Sequence, residues 1–350
     1  MTALLRAMRE IRPTEQRSAV VIPTFTCYSV AASVLKAGLD VLVVDVDPST
    51  LSYEREILET VDFDGVLAVI SANLYGIPDD SIYLERLASE RGVFMIDDAA
   101  QSLGAETSGR ATGTFGDAGI LSFDKGKVIT SINGGVIVTQ DSALAKTVEE
   151  KLVHAPQQRL SKKGVELAKA IGYSALLNPW LYWIPSGIPQ LGLGTTRFDE
   201  SFEVERYFNA MAPLALAQLS RISELNGHRR ECAQFYRSRI NRIDSVSEVR
   251  PFEDSNSIYL RFPIRVRKPD AREEFLRQFR HLGVSASYPA QLGDVEELKG
   301  RIQIQRGTCN GGRQVAQEIL TLPTHPFVRE KDMAEICQGL VEVSEAHSGS

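Results

Sequence analysis

The sequence predicts an α/β protein: a large domain on a mainly parallel sheet, then a smaller carboxy-terminal α/β domain. Three observations point there. From Ala19 to Thr139, short apolar runs alternate with helical segments, the pattern of a parallel sheet covered on both faces. Carboxylates, an amide, a hydroxyl and an amine follow directly on those runs, where open α/β sheets place their ligands. The chain has 350 residues, enough for one large and one small domain with a substantial core and no disulfides.

Each element has its own signal. Residues 3–10 read as the end of a helix. Ala19-Val20-Val21-Ile22-Pro23 is a strand stopped by proline, and Ser29–Ala37 is a helix closed by Gly38. Val41–Val46 and Gly65–Ile70 are strands; Asn73-Leu74-Tyr75-Gly76 is a turn, and residues 79–91 form an amphipathic helix. The segment from Val93 to Thr139 supplies three more buried strands: Val93–Ile96 ending at Asp97-Asp98, Gly119–Phe123 followed by Lys125 and Lys127, and Gly135–Thr139. Ser142 to about Leu167 is helical and charged. Residues 203–243 are helical, with Ala215, Leu216, Leu219, Ile222 and Leu225 on one face. A strand over Ile258–Val266, a helix over Ala271–Leu282 and a last helix from Met333 complete the smaller domain. The expected division is 1–210 and 211–350.

Composition narrows the function. Hydrophobic residues make up 43% and charged residues 24%, with 45 acids against 39 bases and a net charge of −6, so no nucleic-acid surface is expected. Four scattered cysteines and five scattered histidines form no metal-ligand spacing, and a reduced, cytoplasmic setting with no metal is expected. MTALLRAMREIRPTEQRS carries charge early and does not read as a signal peptide. Between Lys169 and Arg197 there is no charge, but Pro179, Pro185, Pro189 and several glycines argue for an apolar covering loop over about 170–200 rather than a membrane span.

The chemistry concentrates at Asp98 and Lys127. A lysine among apolar and glycine residues loses its charge more easily and can form a Schiff base. An aspartate at the end of a buried strand needs a cationic partner, and a protonated pyridine nitrogen would serve. Lysine on an aldehyde and aspartate on a ring nitrogen is the pair expected for pyridoxal 5'-phosphate. Gln101 could donate to the phenolic oxygen and Ser122 to the phosphate. Residue chemistry alone leaves open a salt-bridged Asp98 and a surface Lys127. No GxGxxG or GxxxxGK[ST] loop is present.

Four motifs in order resemble the DegT-type nucleotide-sugar aminotransferase family: Asp97-Asp98-Ala99-Ala100-Gln101, Gly116-Asp117-Ala118-Gly119, Ser122-Phe123 with Lys127, and Gly134-Gly135 with Thr139. Ile22–Thr26, Leu74-Tyr75-Gly76, Ala217-Gln218-Leu219 with Arg229-Arg230, and Leu322–Pro326 extend the likeness over nearly the whole chain. The resemblance implies an aspartate-aminotransferase-like architecture (PLP fold type I) and a homodimer. It also implies transfer of an amino group, with glutamate as donor, to a nucleotide-linked keto sugar in polysaccharide or secondary-metabolite biosynthesis. By position, Lys127 would bond the cofactor aldehyde and shuttle the proton, Asp98 would hold the ring nitrogen, Gln101 the phenolic oxygen and Ser122 the phosphate.

The sequence departs from that pattern in places. Met1-Thr2-Ala3-Leu4-Leu5 resembles the helix after the family's phosphate-binding Gly-Thr turn, so the amino-terminal part of the large domain is expected to be missing. Cys27 stands at the usual ring-stacking position, which leaves Tyr28 or Phe25 to cover the ring. Asn73 replaces a usual histidine, and Val204-Glu205-Arg206 replaces Asn-x-Arg. Two alternatives follow: a non-catalytic or truncated homologue with a regulatory role, and a PLP-dependent sugar dehydratase, whose relatives carry histidine where this chain has Lys127.

Overall fold

The computed structural model describes residues 1–12, 16–176, 197–307 and 309–347. Of the apolar loop expected over about 170–200, residues 177–196 lie outside them, and residues 170–176 are helical rather than loop. The main elements run in this order: α1 Thr2–Ile11, β1 Ala19–Pro23, α2 Tyr28–Lys36, β2 Asp40–Val44, β3 Val66–Ala72, α3 Ser81–Arg91, β4 Phe94–Asp98, β5 Ala118–Ser122, β6 Gly135–Val138, α4 Ser142–Val153 and α5 Leu160–Leu176. After residue 197 come α6 Ala212–Leu219, α7 Ile222–Ile240, β7 Val246–Glu248, β8 Phe262–Val266, α8 Pro269–Phe279, β9 Ile302–Ile304, α9 Asn310–Glu318, β10 Ile319–Leu322 and α10 Glu330–Ala346.

The main sheet has seven strands in the order β9-β2-β1-β3-β4-β5-β6. All neighbours are parallel except β5 and β6. Its centre is β3, every residue of which is buried, as a run of mostly small and branched apolar side chains requires for a strand covered on both faces. One face packs on Leu4, Leu5, Met8, Ala31 and Val34 of α1 and α2. The other packs on Tyr83, Leu84 and Leu87 of α3. Gly92, at φ 63°, ends α3 in the left-handed conformation and turns the chain into β4.

A three-stranded antiparallel sheet, β10-β8-β7, organises the carboxy-terminal part, with α7, α8 and α10 packed around Phe262, Phe275, Tyr236 and Ile336. β9 crosses back from this part and pairs with β2 at the edge of the main sheet, so that sheet is not built from residues before 210 alone.

Several sequence expectations change. The helix expected over Ser142–Leu167 is two helices, α4 and α5. The one expected over 203–243 is α6 and α7, with Pro213 fixing the start of α6. The strand expected from Ile258 begins only at Phe262. Ile258 N instead donates to Gly76 O at 2.8 Å and Tyr259 sits at φ 51°, so this piece serves the turn after β3. Among the described residues, no helix is long and apolar enough to cross a membrane, and no group of three or more His, Cys, Asp or Glu side chains could hold a metal.

Candidate active site

The site lies at the carboxyl ends of β3 and β4. Successive side chains of a strand face opposite ways, so Asp97 and Asp98 do different things. Asp97 is fully buried. Its Oδ1 accepts from Ser71 Oγ at 3.0 Å and Asn73 Nδ2 at 2.7 Å, and its Oδ2 from the N–H groups of Gly113 at 2.5 Å and Phe115 at 3.2 Å. Burial pushes its carboxyl above the usual range, against the pull of those bonds. Asp97 therefore ties the 113–115 loop to β3. Gly119 completes that junction, because a Cβ there would collide with the Gly113 carbonyl.

Asp98 faces the cleft. Its Oδ1 accepts from Ala100 N at 3.0 Å, and this is its one side-chain hydrogen bond among the described residues. Burial raises its carboxyl; the Ala100 N–H, the Lys127 ammonium and the Met1 amine oppose that rise, and Asp97 adds to it. Lys127 is half-buried on the loop between β5 and β6. That loop is folded on itself: Ser131 N donates to Phe123 O at 2.9 Å, and Thr130 Oγ1 to the same oxygen at 3.1 Å. Val128 and Ile129, next to Lys127, are buried in a small apolar cluster with Ala105, Ala215 and Ile258.

Asp98, Gln101 and Lys127 line one cleft together with Thr26, Cys27, Ser29 and Asn73. Gln101 is already engaged there. Its Oε1 accepts from Tyr75 N at 3.1 Å and its Nε2 donates to Tyr288 Oη at 2.9 Å. An amide carries two N–H donors, so one remains for a ligand. Tyr75, at φ 57°, shares a 2.6 Å hydrogen bond with Ser287. Burial raises both tyrosine hydroxyls well above their ordinary value, so these bonds are made by neutral phenols.

Three of the five residues singled out from sequence thus meet. Ser122 and Tyr28 are not in the cleft lining. The Ser122 hydroxyl accepts from Asp124 N at 3.4 Å. The Tyr28 hydroxyl donates to Ala290 O at 2.7 Å and accepts from Ala290 N at 3.0 Å, so Tyr28 is a buried tie to the carboxy-terminal part. Sequence reasoning missed Asn73 as a working residue, although it directly follows a buried strand. Its amide reaches both Asp97 Oδ1 and Asp98 O, the latter at 2.8 Å. Tyr288 carried no local signal, being 187 residues from Gln101.

The donor set matches a planar pyridinium aldehyde at its ring end. Asp98 is a half-buried carboxylate with one side-chain hydrogen bond among the described residues, suited to a ring N–H. Lys127 supplies an amine on the same cleft, and Gln101 keeps a spare donor for an oxyanion.

The model of the DegT/DnrJ/EryC1/StrS aminotransferase family matches residues 1–341. UDP-N-acetyl-3-dehydro-alpha-D-glucosamine 3-aminotransferase from Acidithiobacillus ferrooxidans is 26% identical over 337 residues, covering 95% of this chain and 79% of the relative. A crystal structure of a DegT DnrJ EryC1 StrS aminotransferase from Brucella abortus superposes with a TM-score of 0.76 at 22% identity, covering 100% of this chain and 84% of the other. The Escherichia coli GDP-4-keto-6-deoxy-D-mannose-3-dehydratase with bound hydrated PLP shares the fold at a TM-score of 0.74 and 17% identity, covering 97% of this chain and 84% of the other. This chain, with the aspartate-aminotransferase-like fold of type I PLP enzymes, belongs to the DegT/DnrJ/EryC1/StrS aminotransferase family.

Proposed function

We propose that the protein is a pyridoxal 5'-phosphate-dependent aminotransferase that moves an amino group from an amino-acid donor, glutamate in the first instance, to a nucleotide-linked keto sugar. The observation that carries this reading is the meeting of Asp98, Gln101 and Lys127 in one cleft of a chain in this family. Bound there, the cofactor supplies an electron-accepting ring that eases proton removal beside nitrogen. Asp98 would hold the ring nitrogen in its protonated form, Gln101 would hold the phenolic oxygen, and Lys127 would hold the aldehyde and supply the amine that takes up and returns a proton. Ser122, at the end of β5 and outside the lining of the cleft, would serve the phosphate. Tyr28 supports the cleft wall through Ala290 rather than covering the ring.

The sugar substrate follows from the relative's name, and a place in polysaccharide or secondary-metabolite building follows from that chemistry. We read the chain as a cytoplasmic homodimer with a large domain to about residue 210 and a small one beyond, β9 lent across the division. Leu160 and Leu216, 84% and 62% exposed, give a second copy apolar surface to cover.

The purified protein is expected to gain a visible absorbance band on addition of pyridoxal phosphate, and Lys127→Ala to abolish it. Glutamate should then bleach the band and release 2-oxoglutarate. A colourless wild type in cofactor excess overturns the reading in favour of a non-catalytic homologue. A coloured protein inert to amino donors points to the dehydratase branch.

A further inference from the structure

Two loops carry the site: residues 99–104 after β4 and residues 123–131 after β5. Both are gripped by one helical pair, α6 and α7. On α7, Asn226 and Arg229 lie one turn apart and are 2% and 5% exposed. Asn226 Nδ2 donates to Leu103 O at 3.1 Å, while its Oδ1 accepts from Arg229 Nη1 at 2.8 Å. Arg229 Nη2 then donates to Val128 O at 3.1 Å. The chain of bonds runs from the Gln101 loop, through α7, to the residue beside Lys127. Gly104, at φ 89°, has no room for a Cβ because the Asn226 amide occupies that space. On α6, Gln218 holds the far side of the lysine loop: its Oε1 accepts from Thr130 N at 3.1 Å and its Nε2 donates to Thr130 O at 2.7 Å. The backbone just past Lys127 is thus held at Val128 and Thr130.

Packing alone does not account for Arg229. Among the described residues it has no carboxylate partner, and its Nε is buried without a hydrogen bond. Desolvation lowers its pKa to about 10. A buried cation spent on an amide and a carbonyl is a poor source of stability, and an apolar side chain of similar volume would serve the core better. What an arginine adds is a rigid fork that holds two oxygens at a fixed separation. Here they are Asn226 Oδ1 and Val128 O.

We propose that Asn226, Arg229 and Gln218 are positioning residues that hold the Lys127 loop in register with the Asp98–Gln101 loop, fixing the separation of amine and carboxylate that a ring cofactor must span. This rests on the function proposed above for its purpose, but not for its first test. That test is hydrogen exchange on cofactor-free protein, compared between wild type, Arg229→Met, Arg229→Lys and Gln218→Met. Arg229→Met is expected to speed exchange over residues 127–131 and 101–105 by about tenfold or more while β3 keeps its wild-type protection. Arg229→Lys, which keeps the charge and loses the fork, should fall between. Should Arg229→Met lose β3 protection as well, the half-buried Gln218→Met decides, by faster exchange confined to 127–131. Wild-type exchange in both loops for both methionine variants overturns the proposal.

The second test uses pyridoxal phosphate. Arg229→Met is expected to weaken uptake about tenfold and to move the pH midpoint of the lysine-dependent band. Phe279→Leu, a core change in the α8–α10 pair, should lower stability and leave that midpoint in place. Equal midpoints in wild type and Arg229→Met overturn the positioning role. A wild type that takes up no cofactor defeats the proposed function, while the exchange comparison still judges the clasp.

Discussion

Replacing Asp79 by asparagine tests how the corner beneath the cleft is held. Asp79 is 4% exposed. Its Oδ2 accepts from Ala72 N at 2.9 Å and its Oδ1 from Asp80 N at 2.8 Å, while its own N–H donates to Asn73 Oδ1 at 3.0 Å. It thereby fixes the residue whose amide holds Asp97 and the Asp98 carbonyl. Burial pushes the Asp79 carboxyl from 3.8 up to about 6; hydrogen bonds from Ser52, Ala72 and Asp80 pull it down, and the Asp80 charge adds to the rise. The folded value lies above the unfolded one, so the folded protein holds the proton more tightly. The stabilisation from that proton is complete below about pH 4 and lost as pH rises through about 6. About two units at about 1.36 kcal/mol each makes the whole swing about 3 kcal/mol, of which about 2 falls between about pH 4.5 and 7.5. Asparagine does not titrate, but it offers one acceptor oxygen where the fold uses two, a loss of about 1 kcal/mol or more. Asp79→Asn should therefore be less stable than wild type at the acid end of that range and equal or more stable at the neutral end. Urea unfolding followed by far-UV circular dichroism gives the difference at each pH, and other titrating groups cancel in it. A difference that stays constant from about pH 4.5 to 7.5 refutes the reasoning.

Two further outcomes are expected. Gly119→Ala drives a methyl into the Gly113 carbonyl at the point where Asp97 ties loop to sheet. It should cost about 3 kcal/mol or more in urea unfolding, or prevent recovery of folded protein. Tyr28→Phe removes both hydrogen bonds to Ala290. It should lower stability by about 1–2 kcal/mol and leave the intensity and position of the pyridoxal phosphate band unchanged; a lost or displaced band would return Tyr28 to the cofactor.

The large sheet was legible in the sequence because β1, β3 and β4 each begin on an apolar run, the direct signature of strands buried on both faces. Asp98 was picked out for the same reason: a carboxylate following such a run stands at the carboxyl end of its strand, and it has one side-chain hydrogen bond among the described residues. Lys127 was singled out by its apolar neighbours, of which Val128 and Ile129 are buried. Gly119 and Gly134 stood out as motif glycines, but the collisions that require them, with Gly113 O and with the Tyr207 ring, are not written in their neighbourhoods.

The rest was decided by contacts between distant residues. β9 is three residues long and carries too little periodicity to be seen; it becomes a strand because β2 offers an open edge. Ser122 and Tyr28 were placed by motif position, yet strand geometry and the Ala290 backbone set where their hydroxyls point. Gln101 was read as waiting for a ligand, whereas Tyr75 and Tyr288 already hold it. Sequence alone determined which side-chain types stand just after the apolar runs, since charge and strand period are local properties. Tertiary structure alone decided what holds them in place. Orientation is set by hydrogen bonds such as Arg229 to Val128 and Asn226 to Leu103, separated by 101 and 123 residues, and no local preference encodes a contact that exists only once the chain has folded.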